Sequence, residues 1–187
     1  MTTLRAFIAV PLPGEAQVVL RSVAQALSAR VPNKAVRFVR PEQIHLTLRF
    51  LGDTNVDQLP AIMDVVDHIA DGRAPILLQL DEVGCFPNAQ RPRVIWVGLT
   101  GEINQLQALK SDLDRRLLDL GWPLEDKPFR AHLTLGRVKD ERGVRGVDWS
   151  VEVPRIAVSV ENIQLIESQL RPDGPLYTVR HAGHLHL

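Results

Sequence analysis

Scarcity is the first thing this chain shows. It has one cysteine, one tyrosine and only 5% aromatic residues in 187 positions, and its charges cancel, 22 Lys+Arg against 22 Asp+Glu. Each shortage removes a class. Cys85 alone can form no internal disulfide, which suits a reducing compartment. A net charge of zero leaves no global basic field of the kind that advertises nucleic acid, so an anionic substrate has to be held by a local cluster. No segment approaches the ~20 apolar residues needed to span a bilayer. Met1-Thr2-Thr3-Leu4-Arg5 lacks a signal-peptide pattern, because the apolar run after it is short and ends at Pro11 and Pro13. The expectation is a cytoplasmic monomer that does not engage a membrane.

What is there is ordinary in bulk and informative in pattern. Apolar residues make up 45% of the chain, ample for one domain with a real core. Residues 4–10 read as a strand stopped by Pro11 and Pro13, and Val18, Val19, Val23, Ala26 and Leu27 recur at helical spacing over 14–29. A short strand over 36–39, a strand carrying His45, and an amphipathic helix over 56–70 follow. Strands at 75–83 and 93–99 flank the irregular segment Phe86 to Pro92. A helix over 102–120 closes at Gly121 before Pro123, and the strand with His132, a polar loop at 139–146 and apolar runs at 156–160 and 163–170 complete the order. Tyr177 onward adds a last strand. The pattern reads as α+β: a single domain over 1–187 made of two intertwined, pseudo-symmetric lobes, each a mainly antiparallel sheet backed by helices, with a central cleft.

The tetrapeptide His-Leu-Thr-Leu occurs twice, at His45–Leu48 and His132–Leu135, 87 residues apart (45 to 132). With six histidines and seven threonines, chance predicts about 0.2 His-x-Thr matches in such a chain. Side chains alternate along a strand, so residues i and i+2 share a face. His45, Thr47 and Arg49 are therefore expected on one face, against Ile44, Leu46, Leu48 and Phe50. In the second copy Arg130, His132 and Thr134 oppose Phe129, Ala131, Leu133 and Leu135. Facing lobes would bring both His-Thr pairs to one cleft.

That set of residue types suits acid–base chemistry on a phosphodiester. Histidine holds either protonation state near neutrality, so one of a pair can take a proton from an attacking water or hydroxyl while the other gives one to the departing oxygen. Each role contributes typically 10²–10⁴-fold in rate. Threonine hydroxyls can hydrogen-bond the non-bridging oxygens as charge grows on them. No step requires a metal or another cofactor. Arg130 is placed to contact phosphate, Arg49 has similar expected geometry, Arg91 and Arg93 sit in a loop that can track a polynucleotide backbone, and Phe7, with Phe86 or Phe129, can stack a base. The terminal His181, His184 and His186 have the spacing of a metal tract but no third ligand type nearby, and a strand-paired or frayed end is the better reading.

At these residues the chain resembles the 2H phosphoesterase superfamily, named for paired His-x-Thr motifs. It is most similar to the branch of bacterial and archaeal RNA 2′,3′-cyclic phosphodiesterases, also called 2′-5′ RNA ligases. The likeness runs through Arg5-Ala-Phe-Ile-Ala-Val-Pro-Leu-Pro and Val39-Arg-Pro-Glu-Gln-Ile-His-Leu-Thr-Leu-Arg-Phe-Leu-Gly. It continues through Gly84-Cys-Phe-Pro, Arg91-Pro-Arg-Val-Ile-Trp-Val-Gly, Pro128-Phe-Arg-Ala-His-Leu-Thr-Leu-Gly-Arg and Glu167-Ser-Gln-Leu with Gly174 and Tyr177. Arg49 and the His-rich end depart from it. The resemblance implies a bilobal fold with both motifs on a central groove, and hydrolysis of RNA 2′,3′-cyclic phosphate to a 2′-phosphomonoester. It also implies that His45 is the proton donor, His132 the acceptor, and Thr47 and Thr134 the phosphate anchors. In some members 2′-5′ joining accompanies hydrolysis. Two alternatives share the cleft: a phosphodiesterase acting on small cyclic nucleotides or ADP-ribose cyclic phosphate, and a non-catalytic RNA- or nucleotide-binding module.

Overall fold

The structure, a computed structural model, describes residues 2–172 and 174–187. Among them run β1 (Thr3–Val10), α1 (Gly14–Ser28), β2 (Val36–Phe38), β3 (Leu46–Asn55), α2 (Leu59–Ala70), β4 (Ile76–Phe86), β5 (Val94–Gly101), α3 (Ile103–Asp119), β6 (His132–Val138), β7 (Ala157–Val160), β8 (Asn162–Arg171) and β9 (Gly174–His184). Short 3₁₀ turns at Pro41–Gln43 and Val56–Gln58 lead into β3 and α2. The expected elements are all present, and the last strand begins at Gly174 rather than at Tyr177.

The helices follow from apolar spacing. α1 buries Ala16, Leu20, Val23 and Leu27, and α3 buries Leu106, Leu109, Leu113 and Leu117, a stripe at three- and four-residue intervals. Just after α3, Gly121 takes φ +100°, a conformation in which a Cβ is strained, and the chain turns there.

The nine described strands form one antiparallel sheet in the order β7-β4-β5-β6-β3-β1-β8-β9, with β2 also on β6. The two sheets expected from the sequence are its halves. One half holds β3, β1, β8 and β9 and packs on α2; the other holds β2, β6, β5, β4 and β7 and meets α1 and α3. The halves touch through β3 and β6 at a single pair, Leu46 opposite Leu133. Both leucines are fully buried, 1% and 0% exposed, worth about 1.5–3 kcal/mol each. A slip of one residue would turn them to the cleft and bring the histidines into the core, so this pair pins the register. Along β1, Ala6, Ile8 and Val10 enter the main core, while Phe7 and Ala9 join Ile166 and Tyr177 in a small cluster on the other face.

Candidate active site

The register at Leu46 and Leu133 dictates the site. In an antiparallel ladder the next positions outward are His45 opposite Thr134 and Thr47 opposite His132. The two leucines point to the core, so all four polar residues occupy the opposite face. The histidines lie on one diagonal of this quartet and the threonines on the other. Diagonal neighbours in a ladder stand about 7–8 Å apart. A phosphorus at the centre would have an imidazole on each side along one line and a hydroxyl on each side across it.

Both rings are fixed the same way. His45 Nδ1 lies 2.8 Å from the carbonyl of Gln43, and His132 Nδ1 lies 2.7 Å from that of Arg130. A carbonyl only accepts, so each Nδ1 carries the hydrogen and each Nε2 is left as the working atom. The ring surroundings differ. His45 stacks on Phe7, centroids 4.7 Å apart, and meets the edge of Tyr177 at 5.5 Å. His132 meets Phe86 edge-on at 5.0 Å and Trp96 at 6.3 Å. Burial pushes the His45 imidazole below its ordinary value of 6.5, with the Gln43 carbonyl opposing the shift.

A cleft of about 1030 Å³ opens beside the quartet, lined by Thr47, His132 and Thr134 together with Phe50, Phe86 and Arg130. The four cations on its walls are Arg93, Lys127, Arg130 and Arg137, against the two anions Glu125 and Asp126. Glu125 is already engaged by Lys110 at 3.1 Å and Arg49 at 3.5 Å. A neutral chain thus carries a locally basic cleft, as an anionic substrate requires.

A family model described as LigT-like phosphoesterase matches the chain twice, over residues 10–96 and 97–177. The chain belongs to the LigT-like phosphoesterase family. Each match contains one His-x-Thr segment. An RNA 2′,3′-cyclic phosphodiesterase of Thermus thermophilus is 34% identical over 184 residues, covering 94% of this chain and 87% of that protein. A second, from Methanothermobacter thermautotrophicus, is 33% identical over 181 residues, covering 94% and 95%. A crystal structure of a Thermus thermophilus protein superposes with a TM-score of 0.79 at 31% identity, covering 97% of both chains. Escherichia coli LigT complexed with 3′-AMP shares the fold, with a TM-score of 0.75 at 24% identity and full coverage of both chains.

Within this LigT-like frame, two sequence expectations are corrected. Arg49 does not face the cleft. Leu48 has no partner between the pairs Ala9–Thr47 and Ile8–Arg49, a β-bulge that reverses the alternation. Arg49 is accordingly 3% exposed, bonded to Asp114 at 3.1 Å and to the Pro123 carbonyl, while Phe50 turns outward. Phe7 is also not an open stacking surface: it is 4% exposed and its ring supports His45. Arg130 and Arg93 do line the cleft, Arg93 pairing with the exposed Glu141 at 3.5 Å. In the terminal tract, His181 pairs with Asp67 at 2.7 Å, and His184 and His186 remain exposed.

The second motif carries the same bulge. Leu135 has no partner between Trp96–Thr134 and Ile95–Gly136, so Arg137 emerges on the cleft side as Phe50 does. Neither Arg137 nor Phe50 is reached by strict alternation, because the bulge at Leu48 and at Leu135 shows only in the strand pairing. Gln43 and Tyr177 join the site without any local sequence signal. Gln43 supplies its carbonyl to His45 and its side-chain amide to the Pro175 carbonyl, which ties the start of β9 to the His45 side of the cleft.

Proposed function

We propose that the protein hydrolyses RNA 2′,3′-cyclic phosphate ends to 2′-phosphomonoesters through acid–base catalysis by His45 and His132. The observation that carries this reading is the diagonal quartet with both Nε2 atoms free. It fits a cyclic phosphodiester whose entering and leaving oxygens lie in line between the imidazoles. His132 Nε2 takes a proton from water as the water oxygen bonds to phosphorus. The bond from phosphorus to the 3′-oxygen breaks, and His45 Nε2 gives that oxygen its proton. Thr47 and Thr134 hydrogen-bond the two non-bridging oxygens. The names of the relatives support the substrate. A 5′-hydroxyl attacking in place of water would leave a 2′–5′ linkage by the same geometry.

The environment of His45 adds a condition. Burial favours its neutral form, which cannot donate. An anionic phosphodiester placed against the ring favours the charged form, so substrate binding loads the acid. His45 thus acquires its proton together with the substrate.

The test is an oligoribonucleotide ending in 2′,3′-cyclic phosphate, incubated with the protein in EDTA and followed by ³¹P NMR. A 2′-phosphomonoester is expected, and His45→Ala and His132→Ala each lower kcat by about 10²–10⁴-fold with the fold intact. A 3′-phosphate product would reverse the leaving group. Near wild-type turnover in either variant would refute the paired-histidine mechanism, and binding without turnover would leave a nucleotide-binding module.

A further inference from the structure

Phe50 and Arg137 occupy equivalent positions in the two halves, each three residues beyond its motif threonine and each turned out by the bulge between. The halves differ here, an aromatic ring in one and a guanidinium in the other. Phe50 is 61% exposed in the middle of a long strand, and Leu124, also on the cleft wall, is 58% exposed. The chain at Leu124 is held beside Phe50 by two hydrogen bonds that flank it: Arg49 to the Pro123 carbonyl, and Trp122 Nε1 to the Leu51 carbonyl at 3.0 Å. The structure therefore spends a buried guanidinium and an indole to hold two apolar side chains in water at one end of the basic cleft. Two apolar side chains held out on the wall of a basic cleft are suited to meet the flat face of a base.

We propose that Phe50, with Leu124, is the stacking platform for the base one nucleotide upstream of the cyclic phosphate, so that the site reads an RNA end rather than a mononucleotide. This inference rests on the phosphodiesterase reading above. The cleft, about 1030 Å³, lies at the upper limit of the ~300–1000 Å³ usual for a single small ligand. Three phenylalanines line it: Phe86 and Phe50 stand on different strands, and Phe129 is half-buried with the Lys110 ammonium 5.7 Å from its ring centroid. Phe86 abuts His132 directly at 5.0 Å, on the side where water enters, so the nucleoside bonded to the leaving 3′-oxygen lies toward His45. Phe50 is separated from His45 by the intervening Phe7, at 6.2 Å from Phe7, and so belongs to the next base out. Lys127 and Arg130 on the same wall suit the linking phosphate. Stacking of this kind is indifferent to base identity.

The measurement compares cytidine 2′,3′-cyclic phosphate with a diribonucleotide ending in the same cyclic cytidine phosphate. For wild type the dinucleotide is expected to have the higher kcat/KM. Phe50→Ala is expected to lower the dinucleotide-to-mononucleotide ratio of kcat/KM by about 5- to 150-fold, the size of one base–aromatic stack, whereas Phe50→Trp retains it. Because Phe50 is mostly exposed, neither change disturbs the core. Calorimetric binding of the corresponding 2′-phosphate products gives the same ratio without turnover. A loss there with no catalysis in wild type would reject the phosphodiesterase reading and keep the platform. Equal effects of Phe50→Ala on both lengths, or none on either, would overturn the platform.

Discussion

Replacing Arg49 with Met probes the cluster that fastens the cleft wall to the core. The guanidinium is 3% exposed and faces Asp114 at 3.1 Å, Glu125 at 3.5 Å and the Pro123 carbonyl. Removing one member of a buried pair typically costs about 3–5 kcal/mol, because its partner is left desolvated and uncompensated. Two features reduce that figure. Asp114 keeps Lys110 as a partner, and the Glu125 side chain is 40% exposed, so water screens its share. Methionine also fills much of the vacated space, and the Arg49 Nε, buried without a hydrogen-bond partner, is no longer desolvated. The expected loss is about 2–4 kcal/mol. For a chain of this length 1 kcal/mol shifts Tm by about 2–4 °C, so Arg49→Met should melt roughly 4–16 °C below wild type. Thermal unfolding at fixed pH and ionic strength reads this, and a cycle with Asp114→Asn should show coupling between the two residues. A variant that melts within about 2 °C of wild type but loses affinity for substrate would show that Arg49 serves the cleft directly rather than through its buried ion pairs.

Other perturbations test the site's surroundings. The His45 pKa is lowered on folding, so the native state takes up fewer protons than the unfolded chain below about pH 6.5, and stability falls as pH falls through the folded value. His45→Asn lacks that loss, so its urea midpoint should gain on wild type between about pH 7.5 and 5; parallel profiles would contradict the burial effect. Burial pushes the Cys85 thiol up to about 11, two units above its reference of 9.0, so iodoacetamide at about pH 8 should label native protein about 100-fold more slowly than protein in urea. Comparable rates would mean an accessible thiolate. A Cβ on Gly84 would overlap the Trp96 indole, so Gly84→Ala should cost about 1–3 kcal/mol and alter the near-ultraviolet circular dichroism of the Trp96–Phe86 pair. An unchanged spectrum and melting temperature would show that the indole has room to move.

Much of this was legible in the residues. Period-two and period-3.6 patterns located the elements, and the repeated tetrapeptide located the quartet, because a buried Leu pair can set a register from either strand. Strict alternation failed one residue after each threonine. A bulge is a property of two paired strands, and Leu48 and Leu135 look like any other inward leucine until their partners Ile8–Ala9 and Ile95–Trp96 are known. That single misstep placed Arg49 in the cleft and left Arg137 out of it. Phe7 was misassigned for a related reason: a lone aromatic can stack on a base or on a neighbour, and only the fold brings His45 over it. The Gln43 carbonyl was unreadable because a backbone acceptor is identical at every residue.

The sheet joins its halves through one residue pair, and a shared core and the packed helices α2 and α3 complete the joint. Leu46 and Leu133 place His45 and His132 on either side of this joint, and α2 and α3 pack against each other across the two halves behind it. The His68–Arg116 contact joins the two helices, and Arg73, just past the end of α2, pairs with Asp112 of α3. Between the two imidazoles lies the gap in which a phosphorus would fit, where about 1 Å of misplacement can cost 10²-fold in rate. Side chains on the helical face, away from the cleft, thus help to hold the two halves that carry His45 and His132 together.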